Sequence, residues 1–347
     1  MAGRSRIAER ANISTSEFMS TTEARPQGSD PPLPAELAPL PIVLGPTGSG
    51  KSELAIAIAV ALGAEIVNCD SIQVYRGFDI GSAKVPEGKR RGIPHHLIDV
   101  VDPGTLFTAG DYIALARPLL REIRARRRIP IIVGGTGFYL RALLEGLSPG
   151  PARSASVRAR LMERERKRPS SLHRILTRLD PAVAARIHAN DKNKTIRALE
   201  IRLLEGRPAS RLFLEGKSSL SGYSTIKLGL DPPRELLYAR LDARTRTIFA
   251  QGLLDEVSSL LGNGVPADAK PFESLGYKQA LQVVHGQSTL EEAIQSTETE
   301  TRNYAKRQMT WFRKEAGVQW LSGFGDDPHI QERAIALVRE SLGALRR

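Results

Sequence analysis

Eight consecutive residues constrain this chain more than any other feature: Gly45, Pro46, Thr47, Gly48, Ser49, Gly50, Lys51 and Ser52 match the pattern G-x-x-x-x-G-K-[ST]. The apolar residues 41–44 before them predict a buried strand, and the alanine-rich residues 51–62 predict a buried helix. A strand, this pattern and a helix in that order are typical of a phosphate-binding P-loop. Its backbone amides, the positive end of the helix and Lys51 favour phosphate oxygens. The segment therefore predicts a site for a di- or triphosphate without specifying which.

The segments after the P-loop alternate between strand and helix patterns. Short apolar runs at residues 65–69, 97–101, 130–133 and 225–230 predict strands, and residues 109–128 predict a helix. Such alternation is typical of a parallel sheet with helices on both faces. We therefore predict an α/β fold with a P-loop NTPase-like parallel sheet core and a helical insertion domain.

The insertion is placed where the alternation stops. Residues 151–216 contain short basic helix patterns, proline breaks and no strand pattern, and the chain from residue 233 onward is predicted to be mostly helical. Residues 1–37 are rich in Ser, Thr, Arg and Pro without periodicity, which predicts a disordered tail. The predicted organisation is thus a tail at 1–37, a core at 38–149 and 222–347, and an insertion at 150–221.

The net charge of +12 is unevenly distributed along the chain. Residues 151–210 contain fifteen Lys and Arg against six Asp and Glu, a local net charge of +9. An ordinary solvated surface is one interpretation. The concentration of charge favours the other, a polyanionic partner such as nucleic acid.

Composition excludes several classes of protein. Cys69 is the only cysteine, so an internal disulfide and a cysteine-rich zinc module are both excluded. No apolar run reaches the roughly 18 residues that suggest a membrane span. We expect a cytoplasmic monomer with no membrane partner.

Acidic residues near the predicted sheet edge are candidates for chemistry. Asp70 follows the second predicted strand, on the rim where ligands of open α/β sheets bind, so it is either a base or a cap of the next helix. The strand at 130–133 ends in glycines rather than in the acid with which NTPases hold Mg²⁺, although Asp99 and Asp102 remain alternatives. Adjacent His95 and His96 would point in different directions, so we expect no metal site there.

Several segments in a fixed order closely resemble the bacterial tRNA dimethylallyltransferase, or tRNA isopentenyltransferase, family. Besides the P-loop they are residues 70–75 (DSIQVY), 79–84 (DIGSAK), 94–99 (PHHLID), 134–136 (GGT), 142–146 (ALLEG), 197–200 (RALE), 276–278 (GYK) and 306–311 (KRQMTW). The resemblance covers roughly residues 40–322, and these further segments are not shared by kinases.

The resemblance implies transfer of a dimethylallyl group from dimethylallyl diphosphate to N6 of the adenine 3′-adjacent to the anticodon of tRNA. It implies Mg²⁺ as cofactor with Ser52 as a ligand, diphosphate binding by all eight P-loop residues, and tRNA bound between the core and the insertion at 150–221. The catalytic residues that it suggests are Asp70 as base, Arg244 beside the leaving group, and Thr47 near the reacting carbon.

The resemblance also suggests a set of tRNA contacts. They map onto Asp70, Ser71, Ile72, Gln73, Thr136, Arg158, Asn193, Lys194, Thr195, Ile196, Arg197, Glu273, Ser274, Leu275, Gly276, Tyr277, Lys278, Lys306, Arg307, Gln308, Met309, Thr310, Trp311, Phe312 and Arg313. The basic members suit phosphates. Trp311 suits either base stacking or core packing, and without the family Arg244 would be assigned to a solvated helix face.

Two other classes of function remain open. A P-loop kinase of a small metabolite would transfer phosphate from ATP, with the basic insertion as a substrate lid. A non-catalytic RNA-binding protein would use the P-loop as an anion site and would bind tRNA equally well without Asp70.

Overall fold

A computed structural model describes residues 37–345, so almost all of the tail predicted at 1–37 lies outside the described residues. The elements in chain order are β1 (Ala38–Leu44), α1 (Lys51–Leu62), β2 (Glu65–Asn68), β3 (His95–His96), α2 (Ala109–Ala125), β4 (Pro130–Val133), α3 (Gly137–Glu145), α4 (Ala155–Lys167), α5 (Ser171–Leu179), α6 (Pro181–Ala184), α7 (Lys192–Glu205), α8 (Ala209–Leu212), β5 (Tyr223–Leu230), α9 (Arg234–Ala250), α10 (Leu253–Gly262), α11 (Tyr277–Val284), α12 (Leu290–Phe312), β6 (Val318–Leu321) and α13 (Pro328–Leu345). Short 3-10 helices occupy Glu87–Lys89 and Lys270–Glu273.

The six strands form one parallel sheet in the order β3-β2-β4-β1-β5-β6. Ile42 of the central strand β1 aligns with Ile132 of β4 on one side and with Lys227 of β5 on the other. Both faces of such a sheet must be covered. One apolar cluster includes Tyr112 of α2, and another includes Leu54 of α1 together with α13. The predicted fold class, an α/β P-loop NTPase-like core with a helical insertion, is confirmed.

Two edge strands differ from the prediction. β3 contains His95 and His96 instead of residues 97–101, because Leu97 and Asp99 have φ angles of +59° and +56°, which lie outside the extended region. Beyond them Val101 forms only an isolated bridge with a residue of the neighbouring loop. The sequence pattern does not predict β6, which pairs with β5 after the long helix α12.

Helices α4 to α8 pack around a small core of their own, which includes Leu172 and Leu199. Three acids of this basic segment also face inward. Glu165 and Asp180 accept hydrogen bonds from backbone amides, and the fully buried Glu200 accepts one from the Ser154 amide. Since these carboxylates are buried, the outer surface of the segment is more basic than its composition suggests.

The long helix α12 packs against α3, α9 and α11 and reaches the carboxyl edge of the sheet. None of the helices within residues 37–345 combines the length and the hydropathy that a membrane span requires.

Candidate active site

The P-loop joins β1 to α1 at the carboxyl edge of the sheet. Gly48 and Gly50 have φ angles of +75° and +84°, which residues other than glycine rarely adopt. A Cβ on Gly48 would also lie 2.6 Å from a methyl carbon of Leu241 in α9. The Lys51 Nζ donates a hydrogen bond to the Pro46 carbonyl at 2.6 Å. The loop is therefore closely packed against α9, and its lysine folds back over the turn.

Two cations converge on this loop. Burial, followed by the charge of Arg244, lowers the pKa of Lys51 to about 8, while Asp70 and Glu53 act in the opposite direction. Burial also lowers the pKa of Arg244. The Arg244 guanidinium makes no hydrogen bond or ion pair with another residue of the described range. A bound polyphosphate would stabilise both charges, so the site is electrostatically suited to an anion.

Asp70 lies just beyond β2 and serves two purposes with its two oxygens. Its Oδ1 accepts hydrogen bonds from the amides of Ile72 at 2.8 Å and Gln73 at 3.3 Å, and so caps the following turn. Its Oδ2 has no hydrogen-bond partner among residues 37–345. The capping role and the role of a base, which are alternatives from the sequence, are therefore compatible in the structure.

One cavity of about 550 Å³ brings the predicted catalytic residues Thr47, Asp70 and Arg244 together. Apolar side chains of α9 form part of its wall. The other lining residues are Ser71, Ile72, Tyr75, Gly81, Ser82, Phe107, Tyr139, Leu241, Thr245, Ile248, Phe249, Lys270, Glu273, Ser274, Leu275, Gly276, Thr297, Glu300, Thr301, Tyr304 and Arg307. A charged end and an apolar wall in one cavity suit a ligand with an anionic head and a short hydrocarbon chain.

A second cleft, of about 470 Å³, runs along α12. Four residues that are expected to contact tRNA line it, together with three that the sequence did not suggest: Lys306, Arg307, Thr310, Trp311, and then Arg141, Asn303 and Lys314. The Arg141 guanidinium lies over the Trp311 ring, 4.4 Å from its centroid. No acid of the described residues lines this cleft, so it suits phosphate groups.

Other expected tRNA contacts are engaged within the protein. Arg158 and Arg197 contact the buried Glu200 carboxylate at 3.4 Å and 2.8 Å. Lys194, by contrast, is exposed, and its only ion pair with a residue of the described range is with Asp191. Further members of the set have buried side chains, namely Thr195, Ile196, Tyr277, Gln308 and Phe312. Within the insertion the structure therefore leaves Lys194 accessible to a phosphate, whereas Arg197 holds a buried carboxylate.

The remaining members of the set are distributed around the rim. Thr136 accepts a hydrogen bond from the Ser71 amide at 3.1 Å, which joins two of the predicted segments. Gln73 donates to the Ser82 carbonyl at 3.1 Å. Exposed positions are Asn193, Lys278 and Arg313, and Met309 is half-buried.

The acids with which a kinase or NTPase would hold Mg²⁺ form ion pairs with other side chains. Asp99 pairs with Lys84, and Asp102 pairs with Arg76 at 2.5 Å. His96 bonds to a buried glutamate at 2.7 Å. In the described part of the chain, no group of three or more His, Cys, Asp or Glu could hold a metal ion.

Tyr304 of α12 lines the cavity but is missing from the site expected from the sequence. Burial, followed by the charge of Asp70, raises the pKa of Tyr304 to about 12, so its phenol stays protonated at neutral pH. Helical spacing is the signal that would have found it. Tyr304 precedes Arg307 and Gln308 by three and four residues, so all three share one face of the helix.

The parallel sheet, the P-loop and the carboxylate on the same rim define a P-loop enzyme. The family model described as IPP transferase matches residues 73–315, and the model described as isopentenyl transferase matches residues 39–99. The chain belongs to the IPP transferase family of tRNA dimethylallyltransferases and is a prenyltransferase. The family predicted from the sequence is confirmed.

Individual relatives agree with this assignment. The chain is 60% identical over 305 residues to the tRNA dimethylallyltransferase of Solibacter usitatus, covering 88% of this chain and 99% of the relative. It is 48% identical over 301 residues to that of Koribacter versatilis, covering 86% and 98%. The solved tRNA isopentenylpyrophosphate transferase of Bacillus halodurans matches with a TM-score of 0.65 and 36% identity, over 89% of this chain and 97% of that one. A eukaryotic dimethylallyltransferase solved while acting on tRNA matches with a TM-score of 0.76 and 29% identity, over 88% and 80%.

Proposed function

We propose that this chain transfers the dimethylallyl group of dimethylallyl diphosphate to N6 of the adenine 3′-adjacent to the anticodon in tRNA. The main support for this proposal is one cavity that Thr47, Asp70 and Arg244 line together with apolar side chains. The C1–O bond of the donor breaks, a C1–N6 bond forms, and the electron pair leaves with pyrophosphate. The displaced N6 proton goes to Asp70. The products are N6-dimethylallyladenosine in tRNA, pyrophosphate and a proton.

Lys51, Arg244 and the P-loop amides stabilise the leaving group. An allylic diphosphate ionises readily once the charge that develops on pyrophosphate is met by fixed positive groups. The lowered pKa of Lys51 and of Arg244 supports this role, because burial withdraws both cations from water and an anion bound beside them would stabilise their charges. Thr47 is the P-loop residue that lines the cavity, which supports its assignment near the reacting carbon and the leaving oxygen.

Mg²⁺ is the metal that we assign, and the Ser52 hydroxyl is the protein group that would hold it beside the bound diphosphate. Ser52 lies in the first turn of α1, and its hydroxyl has no hydrogen-bond partner among residues 37–345. A hydroxyl together with phosphate oxygens and water is a donor set that fits Mg²⁺, which seldom needs a cage of protein ligands. When bound, the ion would neutralise negative charge on the departing pyrophosphate.

Asp70 Oδ2 is the proposed proton acceptor. The lone pair of N6 is delocalised into the adenine ring, so the nitrogen becomes strongly acidic only as the new bond forms. A carboxylate placed at this point accelerates the transfer by general base catalysis. Because Oδ1 is held by two backbone amides, the orientation of the free oxygen is fixed before the substrate arrives.

The apolar wall supports a prenyl donor in preference to a nucleotide. Leu241, Ile248 and Phe249 of α9 face the cavity that Thr47 and Arg244 also line. A five-carbon chain needs such a small apolar surface, whereas the adenine ring of ATP would need hydrogen-bond partners. The commitment of Asp99 and Asp102 to other ion pairs argues further against a kinase.

The tRNA would be held by two basic surfaces, the outer face of α4 to α8 and the cleft along α12. Lysine and arginine bind the phosphate backbone regardless of sequence. A stacked adenine must be turned out of the anticodon loop to reach the cavity, at a cost of a few kcal/mol that contacts to the base and its neighbours offset.

A label-transfer experiment tests this function. The purified chain is incubated with tRNA and either dimethylallyl diphosphate labelled in the prenyl group or ATP labelled in the γ-phosphate. We expect only the prenyl label to appear in tRNA. Transfer or release of the phosphate label without prenylation would support the kinase class. Tight tRNA binding without movement of either label would support an RNA-binding protein.

A further inference from the structure

One side-chain amide bridges the P-loop and the loop after β4. Gln308 of α12 is 6% exposed. Its Oε1 accepts a hydrogen bond from the Thr47 amide at 2.8 Å, and its Nε2 donates to the Gly135 carbonyl at 2.8 Å. Because a backbone amide only donates and a carbonyl only accepts, these partners determine the orientation of the carboxamide.

The Gln308 bridge lies close to the P-loop lysine, Lys51. A Cβ on Gly135 would come within 2.4 Å of the Gln308 Nε2 and 4.0 Å of the Lys51 Nζ. On the same helix, Arg307 lines both the cavity and the basic cleft. Gln308 is therefore the point where the helix expected to carry tRNA contacts is bonded to the loop expected to carry the diphosphate.

We infer that Gln308 is a positioning residue that fixes Thr47 for departure of the leaving group, and not a tRNA contact. The inference rests on the proposed function. The Gln308 side chain is buried, and its Oε1 and Nε2 bond to Thr47 and Gly135, so the carboxamide is directed into the protein and not toward RNA. Because its amide is hydrogen-bonded to Gln308, Thr47 keeps one backbone conformation. Its side chain therefore stays in the cavity when the diphosphate enters.

The first variant is Gln308→Met, which keeps a long side chain but removes both hydrogen bonds. We expect its single-turnover rate of prenyl transfer to fall by on the order of 10- to 100-fold, as is common when a reacting group is misplaced by about 1 Å. Its dissociation constant for tRNA should equal that of the parent chain. The matched control is Gln295→Met, the same change at an exposed position of α12, which should keep the parent rate.

A double-mutant cycle separates positioning from simple packing. If Gln308 acts through Thr47, then Gln308→Met should cost far less in a Thr47→Ala background, because the group that it positions is already absent. Thermal unfolding by circular dichroism shows whether each variant is folded. If Gln308→Met does not fold, the cycle is run with Gln308→Asn, whose shorter amide cannot span the bridge.

Three results would overturn the inference. They are an unchanged rate in the position-308 variants, a loss that is equally large with and without Thr47→Ala, and weakened tRNA binding with intact chemistry. Failure of the proposed function is distinguishable, since the parent chain itself would then transfer no prenyl group.

Discussion

Lys51 of the P-loop lies near Arg244 of α9, so that burial and then the guanidinium charge lower the pKa of the ammonium to about 8. The two residues come from segments on either side of the helical insertion. Like charges that are partly withdrawn from water destabilise each other, and an anion between them removes that penalty. The pair therefore favours the state with the most negative charge, which in the proposed reaction is departing pyrophosphate.

Diphosphate binding should weaken as the pH rises above about 8, because Lys51 loses its proton there. The pKa of this lysine is lowered in the folded chain, so its charge is fully present only below that pH, and at higher pH the ligand must restore the proton. The logarithm of the dissociation constant should then rise with pH with a slope approaching about one. Calorimetric titration with dimethylallyl diphosphate measures it. Lys51→Arg, which stays charged, should lack this slope, and an equal slope in that variant would contradict the assignment.

Asp70→Asn should retain tRNA affinity and lose most prenyl transfer. Loss of a general base costs on the order of 10²- to 10⁴-fold in rate. The asparagine can still accept the two amide hydrogen bonds that cap the turn, so the fold is preserved. Single-turnover kinetics and a tRNA binding assay check both halves, with the exposed Asp268→Asn as control. Turnover near that of the parent chain would reject the role of Asp70.

Arg244→Ala should slow transfer without weakening tRNA binding, because we assign its charge to the leaving group. Arg234→Ala serves as the control, since Arg234 is an exposed arginine at the start of the same helix. Rapid-quench measurement of the chemical step, beside equilibrium tRNA binding, distinguishes the possibilities. Reduced tRNA affinity with an intact chemical step would make Arg244 a tRNA contact instead.

The affinity for tRNA should fall steeply with salt, and Lys194 and Arg197 should respond differently when changed. Lys194→Gln should reduce the slope of log K against log salt by about one phosphate contact. Arg197→Gln should instead lower the free energy of unfolding by about 2 kcal/mol, since it removes one partner of the buried Glu200, which keeps Arg158 and the Ser154 amide. Salt titrations and urea unfolding measure the two effects. A salt slope near zero in the parent chain would contradict the basic-surface account.

Much of the site was predictable because its signals are local. The P-loop pattern follows from steric and hydrogen-bonding needs of phosphate within eight residues, and Asp70 directly follows an apolar strand pattern. The alternation of strands and helices then places both on one rim. Both the P-loop and Asp70 can therefore be recognised without knowing which distant segments meet in the fold.

The parts that the sequence did not reveal depend on distant partners. Leu97 and Asp99 adopt left-handed conformations directly after β3, and Asp99 is held there by Lys84 and by the hydrogen bond from its amide to the Gln73 carbonyl. The basic pattern of α7 does not show that Glu200 is buried, which depends on α4 packing against it. Gln308 lies within a run of expected tRNA contacts, and only the packing of α12 turns it toward the P-loop.

Equilibrium competition shows most directly whether this P-loop holds an allylic diphosphate, as we propose, or a nucleotide. The loop amides and Lys51 bind phosphate groups whatever group is attached to them. Selectivity for the diphosphate over ATP must therefore come from the apolar wall and from the space that the tRNA adenine needs. Labelled dimethylallyl diphosphate is bound to the chain and displaced with ATP, and ATP hydrolysis is then followed with tRNA present. We predict that ATP competes only weakly and that tRNA does not stimulate its hydrolysis. Tight binding of ATP with tRNA-stimulated hydrolysis, and no prenyl transfer, would contradict the account.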